Sequence, residues 1–257
     1  MYIERTDSTN TLMRELIAKG EWQAGEEYLY TGFQIAGRGQ SGNGWESEEG
    51  KNLLCSILLS HQPSEVSGVR PAFDLNVAVS VAVHRMVNSQ FSILNSQLAI
   101  KWPNDIYWKD KKIAGILVEN TLVGSEVRYS IAGIGLNVNQ TEWLSNAPNP
   151  VSMRQISGEE YDIHELMKAL MNEMHTVLAM KREEIWAYYR THLYRKDGFW
   201  PFVEREVSIA PTMNANKETE GIFLAKIENI RADGEIELRD QEGNLRLYHF
   251  KEVRYVI

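Results

Sequence analysis

The sequence predicts an α+β chain with a small all-β tail. Three observations predict it. Apolar residues recur at helical spacing near the N-terminus and again over about 160–193. Short β-rich runs separated by turns fill much of the stretch between them. The composition then shifts near residue 195, and beyond Phe199 only strands and turns remain.

The elements follow in order. Ser8-Thr9-Asn10 is a run of N-cap residues, Leu12, Met13, Leu16 and Ile17 form one helical face, and Gly20 closes the helix. Tyr28–Gln34 reads as a strand. Gln34–Lys51 is a loop holding five of the 18 glycines, and Asn52–Ser60 is a buried strand with Cys55 as a small core residue. Pro71–Val87 alternates like a strand, but its length and lack of breakers favour a buried helix. Leu98–Trp102, Ile106–Trp108, Ile113–Glu119 and Val127–Ile134 are successive short strands, with Lys109-Asp110-Lys111 as a hairpin turn. Asp162 to about Leu193 is helical, with Leu166, Leu170, Met174 and Leu178 spaced by four. In the tail, Val207–Ala210, Ile222–Ile230, Glu235–Arg239 and Leu245–Phe250 are strands, with turns at Asp233-Gly234 and Glu242-Gly243-Asn244. We therefore expect two units, residues 1–195 and 196–257, the second long enough for a small five-stranded barrel.

Composition excludes several classes. At 43% hydrophobic and 24% charged, the chain is ordinary globular material, not disordered or collagenous. A single cysteine excludes an internal disulfide and a multi-cysteine metal site. With 27 basic and 35 acidic residues, the net charge of −8 disfavours a general nucleic-acid binder. No apolar run is long enough to span a membrane, and the N-terminus lacks a signal-peptide pattern, so a cytoplasmic protein is expected. The six histidines show no metal-ligand spacing.

Two segments concentrate chemistry. Gly37-Arg38-Gly39-Gln40-Ser41-Gly42 matches G-x-G-x-x-G. A dinucleotide fold would open a helix inside that motif and place an acidic residue about 20 positions on. Here Asn43–Gly50 suits no helix and Ile57-Leu58-Leu59 fills the second place, so that fold is rejected; a Walker A loop fails because no Gly-Lys-Ser/Thr follows. What remains is a loop whose backbone N–H groups can approach an anion, with Arg38 adding a fork suited to phosphate. The plain alternative is a surface loop with a solvated arginine. In Lys101-Trp102-Pro103-Asn104-Asp105, the proline ends a strand and Asn-Asp favours a turn. That is either only a turn, or Lys101, Asn104 and Asp105 face one pocket, where Asp105 suits Mg²⁺ bound with a triphosphate. Lys112, at the edge of the next apolar strand, is either a snorkelling lysine or a cation for a substrate carboxylate and a phosphate.

Four blocks together resemble the biotin–protein ligases: Asp7-Ser8-Thr9-Asn10; Gln34 through the glycine loop to Trp45 and Ser47; Lys101–Asp105 leading to Lys112-Ile113-Ala114-Gly115-Ile116-Leu117-Val118-Glu119; and Gly133-Ile134-Gly135-Leu136-Asn137-Val138-Asn139. The resemblance implies a mixed central sheet flanked by helices, as in the class II aminoacyl-tRNA synthetases and biotin–lipoate ligases, followed by an SH3-like C-terminal barrel. It implies ATP-dependent formation of biotinyl-5′-AMP, with Mg²⁺, and transfer of biotin to a lysine of a biotin carboxyl carrier protein, that of acetyl-CoA carboxylase or a related biotin enzyme. It implies that Ser8, Thr9, Asn10, Gln34 and Gly115 bind biotin. Gly37, Arg38, Gly39, Gln40, Lys101, Asn104, Asp105 and Lys112 would attend the phosphates, with Arg38 and Lys112 catalytic and Asp105 the Mg²⁺ contact. Trp45 would stack near adenine and Asn137 would read its edge.

This chain departs from many family members at Gln40, where they carry a second loop arginine. Gln40→Arg is expected to slow release of free adenylate, which a trapping assay reads. Some members carry an N-terminal helix-turn-helix that represses biotin genes. The Asp-Ser-Thr-Asn block begins here at residue 7, so a ligase without repressor activity or nucleic-acid partner is expected. Rivals are a lipoate or octanoate transferase, which shares the catalytic fold but lacks the Gly-Arg-Gly and Lys-Trp-Pro-Asn-Asp blocks, a non-catalytic biotin or adenylate sensor, and a carrier-docking module. A homodimer through exposed edge strands stays open.

Overall fold

The computed structural model describes residues 1–39, 43–60, 72–91, 97–123, 126–145, 147–205 and 221–257. Gln40, His61 and the strand expected at 207–210 lie outside the described residues.

The first part of the chain builds a seven-stranded mixed sheet in the order β1-β2-β3-β7-β6-β5-β4. The strands are β1 (Tyr2–Thr6), β2 (Tyr28–Gln34), β3 (Leu53–Ser60), β4 (Leu98–Lys101), β5 (Asp105–Trp108), β6 (Lys111–Val123) and β7 (Glu126–Leu136). Only β1 and β2 pair in parallel; the other neighbours are antiparallel. Helix α1 (Thr9–Lys19) starts at Ser8 and ends at Gly20, whose φ of 72° is the left-handed geometry glycine adopts cheaply.

The ambiguous segment is a helix, α2 (Ala72–Gln90). Val77, Ala78, Val79, Val81, Ala82 and Val83 are all fully buried. That explains the misleading pattern: a helix covered on every side needs no polar face and shows no helical period. It packs against β4, β5 and β6, and against α4 (Ile163–Ala179) and α5 (Arg182–Thr191).

The single helix expected over Asp162–Leu193 is in fact α4 and α5, broken at Met180-Lys181. Both residues are extended, and the Lys181 N–H donates to the Glu184 carboxylate at 3.1 Å, restarting the helix. Arg182 then clamps the buried Asp74 of α2 through Nε at 2.6 Å and Nη2 at 2.9 Å. Two short elements escaped the pattern: α3 (Met153–Ser157) and the edge strand β1, which is mostly exposed and is held by backbone pairing to β2.

The C-terminal strands form a five-stranded antiparallel sheet ordered β11-β10-β9-β8-β12. They are β8 (Trp200–Glu204), β9 (Ile222–Ile230), β10 (Ile236–Asp240), β11 (Leu245–Tyr248) and β12 (Val253–Tyr255). Trp102 of the first part donates its indole N–H to the Gly234 carbonyl at 2.9 Å, and Arg190 donates to Ile230 O at 3.1 Å. This small sheet therefore closes over one end of the large one.

His84 of α2 is buried with both ring nitrogens engaged, by the Tyr188 hydroxyl at 3.0 Å and the Leu98 carbonyl at 3.3 Å. Burial pushes its pKa down to about 4. The unfolded chain binds the proton more readily, so this neutral histidine stabilises the fold above pH 6.5, and that contribution is lost as pH falls toward 4. The loss is about 3 kcal/mol at full protonation of the unfolded state. His84→Gln is expected to flatten the fall in stability between pH 6.5 and 4 in denaturant titrations.

Candidate active site

The Asp7–Asn10 turn, the glycine loop, the β4–β5 turn and the facing strands β6 and β7 converge on one cavity of about 400 Å³. Ser8, Thr9, Asn10 and Gln34 line one part of it; Arg38, Gly39, Trp45, Lys101, Asn104, Asp105, Lys112 and Gly115 line the rest. Asn137 and Gly37 stand outside that lining, and Gln40 lies outside the described residues.

The polar end is pre-ordered. The Thr9 backbone N–H and hydroxyl donate to Gln34 Oε1 at 2.8 and 3.1 Å. That fixes the amide of Gln34 and leaves its NH₂ as donor. Asn10 is held by Ser56, whose hydroxyl donates to Oδ1 at 2.6 Å, and by Glu119, which accepts from Nδ2 at 2.7 Å.

The floor is glycine. Gly115 and Gly135 face each other across β6 and β7, and the Trp45 indole lies on both. A Cβ at Gly135 would sit 2.5 Å from Trp45 Cε2, and one at Gly115 would sit 2.8 Å from Cζ3. Gly133 gives the same room to Asn10, whose Oδ1 would be 2.5 Å from a Cβ. Trp45 arrives there because the loop folds back on itself. Its N–H donates to Gly37 O at 2.9 Å, and Arg38 bridges to Gly44. Its own indole N–H is buried without a partner, so an acceptor on a ligand would satisfy it.

The charged end holds Lys112, whose Nζ lies 2.8 Å from Asp105 Oδ1 and 5.6 Å from the Trp45 ring centroid. Its backbone is pinned, because Lys112 N–H donates to Asn149 O and Lys112 O accepts from Val151 N–H. Asn137, expected to read adenine, is instead buried behind this strand. Its NH₂ reaches Lys112 O at 3.3 Å and Val151 O at 3.1 Å, so it ties β7 to the segment carrying Lys112. Asn104 is also internally engaged, donating to Asn76 Oδ1 and Ile116 O, both at 2.9 Å.

Lys101 donates to the Tyr107 hydroxyl at 3.1 Å and faces the Tyr255 ring. Burial, reinforced by Lys112 and Arg195 and opposed by Asp105, lowers its pKa to about 8. An anion in the cavity favours the ammonium form, so affinity for a triphosphate is expected to fall as pH rises through about 8. Lys101→Met should bind ATP more weakly at pH 7 and lose that pH slope; equilibrium binding from pH 7 to 9.5 reads both.

Sequence patterns missed the contribution of the second sheet. Arg205, Phe250, Lys251, Arg254 and Tyr255 all line the same cavity. No local motif marks them; only the docking of the small sheet brings them there. With Arg38, Lys101 and Lys112 they make six cationic side chains on the described lining against one carboxylate, Asp105. In a chain of net charge −8, that concentration suits an anionic ligand.

A fold of this kind, with a polar pocket joined to a cationic one, defines a class of acid-activating proteins. Residues 2–137 match the model of the biotin/lipoate A/B protein ligase family. The chain belongs to that family. It is 31% identical over 223 residues to the bifunctional ligase/repressor BirA of Bacillus spizizenii, a match spanning 84% of this chain and 62% of that protein. It is 30% identical over 178 residues to the biotin–[acetyl-CoA-carboxylase] ligase of Paracoccus denitrificans, spanning 65% of this chain and 68% of that one. Its fold matches the biotin protein ligase of Aquifex aeolicus solved with biotin and ATP, at a TM-score of 0.72 and 22% identity over 100% of this chain and 98% of that one.

Proposed function

We propose that the protein is an ATP-dependent biotin–protein ligase. The observation that carries this is one cavity in which a fixed amide-and-hydroxyl end meets six cations. A uncharged ring system with matched donors and acceptors suits Thr9, Asn10 and Gln34, and a carboxylate and a triphosphate suit Arg38, Lys101 and Lys112.

The biotin carboxylate oxygen attacks the α-phosphorus of ATP, the α–β P–O bond breaks, and pyrophosphate leaves. Two anions must meet for this step, so cations fixed in advance do most of the work. Lys112 lies on the floor between the two ends and neutralises both partners. Arg38 and the loop amides hold the phosphate, and Trp45 walls in the intermediate. A carrier lysine then attacks the acyl carbon, the mixed-anhydride bond breaks, AMP leaves, and the nitrogen loses a proton.

Asp105 is the one carboxylate on the described lining, and one carboxylate with phosphate oxygens is a donor set that fits Mg²⁺. Mg²⁺ bound there would neutralise the triphosphate, and Asp105 would exchange its Lys112 contact for it. We take residues 1–195 as the catalytic unit and 196–257 as the unit that completes the cavity. The partner is a biotin carboxyl carrier domain. Among the described residues no helix is long and apolar enough to cross a membrane.

Incubation with biotin, ATP, Mg²⁺ and a biotin carboxyl carrier domain should add one biotinyl group to that domain by intact-mass measurement. An unmodified carrier, with lipoyl or octanoyl transfer to a lipoyl domain instead, would favour the other branch of the family.

A further inference from the structure

Glu119, at the end of the β6 block, has no part in the chemistry above, yet three side chains converge on its Oε2. Asn10 Nδ2 lies at 2.7 Å, Arg14 Nη2 at 2.9 Å and Arg38 Nη2 at 3.4 Å. Asn10 belongs to the acid-recognition end and Arg38 to the phosphate end. Arg14 stands one helical turn after Asn10 on α1, on the same face.

We propose that Glu119 is a positioning residue that couples the two ends of the site, with Arg14 as its standing counterion. The proposal rests on the ligase function above.

The Asn10 half follows from donor and acceptor chemistry. Asn10 Nδ2 meets only acceptors, the Glu119 carboxylate and, at 3.4 Å, the Leu117 carbonyl. The nitrogen must therefore lie on that side, Oδ1 must face the Ser56 hydroxyl, and the amide has one orientation. Glu119 thereby sets which group Asn10 presents to the cavity.

The Arg38 half follows from the distances. Arg38 makes the longest of the three contacts and is partly exposed. Its guanidinium is parked on Glu119 and can be exchanged onto an incoming phosphate. Were Arg38 the only cation there, that exchange would strip a half-buried carboxylate of its partner, which is costly. Arg14, 2.9 Å away, stays behind and keeps Glu119 neutralised. Glu119 thus competes with phosphate for Arg38, and Arg14 weakens that competition.

The two substitutions that follow have opposite signs. Glu119→Gln is nearly isosteric and keeps an amide oxygen for Asn10, but removes the competing charge. It should lower the Kd for ATP by about 3- to 10-fold and leave the Kd for biotin within about 2-fold. Arg14→Met leaves Glu119 with Arg38 as its only cation. It should raise the Kd for ATP by a similar factor. Glu119→Ala, which also frees Asn10, should raise the Kd for biotin by about tenfold or more, and Glu119→Gln should restore it.

The experiment is calorimetric titration of wild type, Glu119→Gln, Glu119→Ala and Arg14→Met with ATP and, separately, with biotin, alongside pyrophosphate exchange. A merely structural glutamate would move the ATP affinities of Glu119→Gln and Arg14→Met in the same direction, and that result overturns the proposal. Unchanged biotin affinity in Glu119→Ala overturns the Asn10 half. Wild-type protein that gives no exchange with biotin overturns the ligase function instead, and the ATP affinities of the variants still decide the role of Glu119.

Discussion

Replacing Lys112 by methionine is expected to slow adenylate formation by about 10²–10³-fold, the scale of removing one preorganised donor at a developing charge. The geometry gives two reasons. Lys112 Nζ stands over the Gly115 floor, 3.1 Å from where a Cβ would be, and no larger side chain could let it lie there. Its other partner is Asp105 at 2.8 Å, so methionine also leaves a carboxylate facing the incoming phosphates without its cation. Lys112→Arg keeps the charge but not the compact ammonium, and should recover only part of the rate. Steady-state pyrophosphate exchange measures the loss, which should fall on kcat more than on the KM for biotin.

Gly135→Ala should be nearly as damaging, for a steric reason. The added Cβ would meet three atoms of the Trp45 indole at 2.5–2.8 Å. Neither side can yield cheaply: Gly135 is paired on both flanks, to Leu54 and to Gly115, inside a seven-stranded sheet. The tryptophan must leave its seat, and the glycine loop must move with it. Overpacking of this kind costs about 1–3 kcal/mol, so a tenfold or greater rise in the KM for ATP is expected, because 1.4 kcal/mol is a factor of ten. Trp45 fluorescence should shift toward that of a solvent-exposed indole in the same variant.

Much of the site was legible because its parts are local. The Ser-Thr-Asn turn, the Gly-Arg-Gly loop and the Lys-Trp-Pro-Asn-Asp turn each carry their chemistry within a few residues, and the sheet brings them together. Asn137 was misjudged because a block marks a neighbourhood, not a direction: the strand that presents Gly135 to the cavity turns Asn137 into the protein behind Lys112. The five lining residues of the second sheet left no signal, since they reach the cavity only through docking. Glu119 was visible as the end of a block, but its convergence of Asn10, Arg14 and Arg38 needs three dimensions.

The fold divides in the same way. α1, β2, β3 and β9 follow from caps and alternation. β1 escaped because its exposed Tyr2, Glu4 and Arg5 leave no apolar alternation, and backbone pairing alone defines it. α3 did carry a signal, the Ser152-x-x-Gln155 capping box followed by Gly158, and a search for caps would have found it. The break between α4 and α5 contains neither glycine nor proline; it is made by a reciprocal cap at Lys181 and Glu184.

The central claim is that this cavity activates biotin as its adenylate. Exchange of labelled pyrophosphate into ATP, with Mg²⁺ and with biotin, lipoate, octanoate or no acid, tests it most directly. Exchange that depends on biotin and is absent without an acid is the predicted result. Exchange driven by lipoate or octanoate but not by biotin, or no exchange with any acid, would contradict it.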